Sequence, residues 1–64
     1  MKKLKNVLDD KIYLCRMLPV KAQILFNNVL VEGLITGIDI ETGYCNWNKN
    51  NIPMPIVRID MIKI

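Results

Sequence analysis

Six carboxylates, two thiols and no histidine are the groups in this chain that could support acid–base or nucleophilic chemistry. The carboxylates are Asp9, Asp10, Glu32, Asp39, Glu41 and Asp60. Asp39 and Glu41 flank Ile40, so on an extended strand both would project to one side, as an acid–base pair requires. A solvated turn running into Gly43 accounts for the same spacing. Neither Cys15 nor Cys45 has an evident base near it, which leaves nucleophilic catalysis without its usual partners. Two thiols alone do not close a tetrahedral zinc site. No glycine-rich phosphate cradle is present. The residues therefore predict a non-enzymatic protein with no cofactor and no bound metal.

Binding chemistry is better represented. Tyr44, Asn46, Trp47, Asn48, Lys49 and Arg58 fall within one short stretch and the strand that follows it. Aromatic rings stack on bases, asparagine reads base edges and cations meet phosphate. Arg58 is the leading candidate. It lies between Val57 and Ile59, so on a strand it projects away from their apolar face. Arginine in that position can grip a phosphate bidentately or stack on a base. Two competing readings stand beside this one: Arg58 pairs with Asp60, and Trp47 is a core residue ahead of a plain turn at residues 48–51.

These groups must be positioned by strands. Val20, Ala22, Ile24 and Phe26 alternate with Lys21 and Gln23, the period of a half-buried strand over residues 20–26. Asn27-Asn28 supplies a turn in which positive φ is cheap. The next strand runs over 29–40, its apolar face passing from Val29 and Val31 to Leu34, Ile38 and Ile40. That shift predicts bends at Gly33 and Gly37. Residues 11–17 read as a first strand apolar on both faces and ended by Pro19. Leu4, Val7 and Leu8 have the spacing of a short helical turn before it, with lysines at its start and Asp9-Asp10 at its end. A short strand over 44–47, a polar loop at 48–51, a crossover at Pro53 and Pro55 and a last strand over 56–64 complete the chain.

The 64 residues form one domain, and 52% of them are apolar. That is more than a monomer of this size easily hides, which predicts a homo-oligomer. The stretch Ile62-Lys63-Ile64 reads as an exposed edge open to strand addition. The net charge of +3 permits an anionic partner without demanding one. Lys2, Lys3 and Lys5 read as a solvated basic tail. Asp9 and Asp10 interrupt any secretory signal and no apolar run reaches membrane length, so a cytoplasmic location without membrane contact is expected. Both cysteines are expected to be small buried hydrophobes, with a disulfide left open. Isoleucine, lysine and asparagine make up more than a third of the chain, which suggests an AT-rich bacterial or phage source.

Five strands, one bent at glycine, with short turns and a crossover before the last, describe an all-β, strongly bent SH3-like or Sm-like small barrel. Gly33 to Asp39, GLITGID, resembles the glycine–hydrophobic–glycine–aspartate run of the first Sm motif. Val57 to Ile62, VRIDMI, resembles the Ile-Arg-Gly-x-x-Ile run of the second, with Ile59 in place of the glycine. The asparagine that the family carries four residues after the aspartate is Gly43 here. The chain is also similar to small YolD-like proteins of low-GC bacteria and phages. The similarity lies in Gly33 to Asp39, then Ile52-Pro53, then Ile56, Ile59 and Ile62. The resemblance implies a small barrel that assembles through edge strands and serves as an accessory or binding protein. Two functions follow as expectations. One is a homo-oligomeric module binding nucleic acid or a nucleotide. The other is a protein-interaction module, such as a phage inhibitor that docks on a host protein or sequesters a host nucleotide signal.

Overall fold

The computed structural model describes residues 2–64. One helix, α1 (Leu8–Met17), precedes β1 (Val20–Phe26), β2 (Val29–Ile38), β3 (Tyr44–Lys49) and β4 (Ile52–Arg58). A 3-10 turn (Ile59–Met61) then leads into β5 (Ile62–Lys63). The strands form one antiparallel sheet in the order β4-β3-β2-β1-β5. The first four make a meander, and the 3-10 turn carries β5 across to pair with β1. No ladder joins β4 to β5 among the described residues, so the sheet is open.

Residues 11–17, expected as a strand, lie in α1. Apolar residues on both faces fit a buried strand and a short helix alike, and length decides between them. The charges favour the helix once its ends are placed correctly. Asp9 and Asp10 stand in the first turn and Arg16 in the last, each complementing the helix dipole. Leu18 is extended, as a residue before proline prefers, and ends the helix at Pro19. Asp10 also ties down the chain ahead of α1. Its carboxylate accepts the Lys5 main-chain N–H at 2.8 Å and faces the Lys2 ammonium at 3.4 Å. The Lys5 N–H first, and Lys2 after it, hold the Asp10 pKa below its ordinary value. The stabilisation is present at neutral pH and fades as pH falls through that lowered value.

Two of the three hairpins in the meander, β1–β2 and β3–β4, close on Asn-Asn. Asn27 and Asn28 have φ of 52° and 63°, and Asn50 and Asn51 repeat this at 50° and 65°. Two consecutive residues in the left-handed region give the twist a two-residue hairpin needs. The expected loop at residues 48–51 is therefore a tight turn, with β3 running to Lys49 and β4 starting at Ile52. Pro53 and Pro55 lie inside β4 instead of interrupting pairing. Among the described residues β4 pairs with β3 alone, and proline is tolerated on an edge strand. The predicted last strand over 56–64 is broken by the 3-10 turn.

Each sheet edge is guarded. Lys49 and Ile52 close the two-residue turn as a hydrogen-bonded pair, so Pro53 directs its nitrogen away from β3 and offers an incoming strand no donor. At the other edge, residues 2–4 pair with residues 62–64. The Leu4 N–H donates to Ile62 O at 3.0 Å and the Ile64 N–H to Lys2 O at 2.8 Å. The edge expected at Ile62-Lys63-Ile64 is thus occupied, Ile62 is fully buried, and the N-terminal lysines are not a free tail. A Pro53→Thr/Pro55→Thr variant should restore donors on β4 and form larger species than the parent at micromolar concentration. A size-exclusion elution volume equal to the parent's would show that the prolines do not guard the edge.

The core is apolar throughout. Leu4, Leu14, Ile24, Ile35, Cys45, Ile59 and Ile62 are fully buried around Trp47. Trp47 packs edge-on against Phe26, with ring centroids 5.5 Å apart, and its indole N–H donates to Pro55 O at 2.8 Å. Along β2, Gly33 and Ile35 point inward with Val31 beside them, so the pattern passes through Gly33 without a change of face. The shift expected at Gly33 falls instead at a bulge between Ile35 and Gly37.

Candidate functional site

No polar or charged side chain is buried among the described residues, so any ligand must be met on the surface. The solvent face of the sheet carries Lys21, Gln23 and Leu25 from β1 and Leu30, Glu32 and Leu34 from β2. It continues through Tyr44, Asn46 and Asn48 of β3 to Arg58 of β4. Strand alternation sets this face once the core residues between them are buried.

The six residues singled out in the sequence fall into three places. Tyr44 and Arg58 are direct cross-strand partners, and Asn46 lies two residues along on the same face. All three are exposed, which leaves a phenol, a guanidinium and an amide in one corner. Arg58 is engaged there: its Nε lies 3.3 Å from Asp60 Oδ1. An exposed pair of this kind contributes less than about 1 kcal/mol and can be exchanged for a ligand. Asn48 and Lys49 stand at the far end of β3, about 13 and 16 Å from Tyr44 at the usual rise per residue. Asn48 there lines a shallow hollow of about 300 Å³ with Lys21, Glu32 and Asn50. Trp47 is only 1% exposed and belongs to the core, so it cannot offer a ring face to a base.

The remaining reactive groups have structural roles. Asp39 Oδ1 accepts the N–H groups of Glu41 at 2.9 Å and Thr42 at 3.4 Å, which makes it a turn former. Asp39 and Glu41 lie beyond the end of β2, so they are not a same-face strand pair. Both cysteines are free. Cys45 is buried, and burial pushes its thiol up to about 11, so it stays protonated at neutral pH. Cys15 was expected inside but is exposed on α1, because the segment is a helix. Among the described residues no three metal-ligating side chains converge. Also among them, no helix is long and apolar enough to cross a membrane.

An apolar patch at the β1–β2 hairpin lies outside the residues singled out from the sequence. Leu25 and Leu30 are cross-strand partners on the solvent face, 39% and 49% exposed. Met61 lines the same groove, as do Lys3 and Lys63. The signal was available: Leu25 occupies an outward position in the alternation that buries Ala22 and Ile24. A leucine out of phase in a well-formed pattern is not accounted for by the core. No protein family, curated protein or solved structure matches this chain.

Proposed function

We propose that the chain is a small SH3-like or Sm-like barrel acting as a non-enzymatic protein-interaction module. It docks through the solvent face of the β1–β2 hairpin. The four-strand meander, the 3-10 turn and the return of β5 to β1 support the barrel reading. The Leu25–Leu30 pair carries the functional one. Single exposed leucines are ordinary, whereas a cross-strand pair that lines one groove with a methionine is the feature that supports an interaction surface here. Self-association, expected from the apolar surplus, would use this face or α1, because residues 2–4 already occupy the β5 edge.

The Tyr44–Arg58 pair with Asn46 favours a second reading, in which that corner binds a nucleotide or single-stranded nucleic acid. One experiment separates the two. A Leu25→Ser/Leu30→Ser variant and an Arg58→Ala variant, both folded, are compared with the parent after expression in bacteria. Under the protein-interaction reading, mass spectrometry finds one protein, or a second copy of the chain, retained by the parent and Arg58→Ala but lost from the serine variant. Under the nucleotide reading, the parent carries excess absorbance at 260 nm that Arg58→Ala loses. That second outcome, with no protein lost from the serine variant, removes the first reading.

A further inference from the structure

Pairing of residues 2–4 with β5 sets two lysines against each other. Lys2 and Ile64 exchange both main-chain hydrogen bonds, and Leu4 bonds to Ile62. Lys3 and Lys63, between these contacts, are therefore a non-hydrogen-bonded antiparallel pair, the type in which side chains approach most closely. Leu4 and Ile62 are fully buried, so both lysines project from the opposite, solvent face. Like charges directly opposite one another are unfavourable. Neither lysine has an ion-pair partner among the described residues, and nearby Asp60 is engaged by Arg58.

The apolar patch begins immediately beside this pair. Gln23 stands next to Lys63 across β1–β5, and two residues on is Leu25, opposite Leu30. Lys3, Lys63, Leu25, Leu30, Met61 and Asp60 line one groove of about 360 Å³. A volume of this order accepts one or two side chains. No aromatic ring lines it, so it offers a nucleic-acid base nothing to stack on. A concave floor also suits an inserted side chain better than a bilayer surface.

We propose that this groove binds a peptide segment of a partner protein in which a carboxylate side chain stands beside a bulky apolar one. The carboxylate sits between Lys3 and Lys63 and relieves their repulsion. The apolar side chain packs on Leu25, Leu30 and Met61. Charge complementarity selects the occupant: Asp60, the one carboxylate lining the groove, is paired with Arg58, so the opposed lysines have no ion-pair partner of their own among the described residues and are disfavoured until an anion arrives. This inference rests on the protein-interaction reading and narrows it to one class of partner.

The test uses two fluorescein-labelled octapeptide pools, random except for a central Glu-Leu or Glu-Phe in one and Gln-Leu or Gln-Phe in the other. The Glu pool should bind saturably and shift the amide resonances of Lys3, Leu25, Leu30, Met61 and Lys63. The Gln pool should bind at least tenfold more weakly. A Lys3→Gln/Lys63→Gln variant should lose at least tenfold in binding while melting no lower than the parent, because the repulsion is gone. Lys3→Arg, which keeps the charge, should bind as the parent does. Equal binding of the two pools would overturn the inference and leave the protein-interaction reading standing. Binding of neither pool would overturn the inference. Shifts at these residues from a single-stranded oligonucleotide or phosphatidylglycerol vesicles, in place of the Glu pool, would overturn both.

Discussion

Replacing Trp47 with alanine should unfold this domain, or leave it without fixed packing, at room temperature. The side chain is 1% exposed and is the largest in the core. Truncating a buried tryptophan costs about 3–5 kcal/mol, because the lost transfer energy is joined by the energy of the cavity left behind. A 64-residue domain has a total stability of only about 3–10 kcal/mol. Three further groups depend on the ring. Phe26 loses its edge-on partner, Pro55 O loses the indole donor and Gly33 loses the surface it packs against. Trp47→Phe keeps much of the packing but removes the N–H, so it should cost less and stay folded. Urea unfolding followed by circular dichroism ranks the three proteins. A Trp47→Ala protein with the parent's midpoint but lost binding would return Trp47 to the site and overturn its assignment to the core.

What could be read from the sequence depended on whether the deciding interaction was local. The strand at residues 20–26 was legible because alternation alone determines which residues are inside. The turn at Asn27-Asn28 was legible because asparagine tolerates positive φ. The same dipeptide at Asn50-Asn51 carries the same message, but it stands in a polar run over residues 48–51 that reads as a longer loop. The prolines that follow suggest a break in pairing. Whether a proline is permitted depends on whether its strand is at an edge, and that is a property of the whole sheet. The helix was missed for a related reason. Residues 11–17 are apolar on both faces of an extended strand, which fits a buried strand as well as a helix, and only docking of Leu14 under the sheet reveals the helical face.

The candidate site divides along the same line. Strand parity placed Arg58 opposite the apolar face of Val57 and grouped Tyr44 with Asn46, and the register of the sheet brings Tyr44 and Arg58 together. Parity also placed Trp47 opposite its neighbours Asn46 and Asn48, but could not say which side faced the core. Lys49 and Asn48 are close to Tyr44 in sequence but lie at the other end of a strand, because an extended chain separates what a helix would gather. The Lys3–Lys63 pair was beyond any local reading, since it joins the two ends of the chain.

Gly33→Ala should destabilise the protein by about 1–3 kcal/mol, and Gly33→Val by more, whereas Gly37→Ala should be neutral or slightly stabilising. The sequence offers the two glycines as equivalent bend points, and the structure separates them. A Cβ on Gly33 would lie 2.5 Å from Trp47 Cε3, 2.8 Å from Cζ3 and 3.0 Å from Ile24 Cδ1. Such distances force a displacement, and the indole has little room to move. Phe26 stands at its edge and the Pro55 carbonyl holds its N–H. The entropy gained by removing a glycine from the unfolded chain, about 0.4–1 kcal/mol, is too small to offset overpacking of that size. Near Gly37 the nearest atom to a new Cβ is Asn46 Nδ2 at 3.4 Å, an exposed side chain that can turn aside. There the entropy term should prevail. Urea midpoints of the three variants read the order directly. Equal losses at Gly33 and Gly37 would mean that strand bending, and not the approach of Trp47, is what requires glycine at position 33.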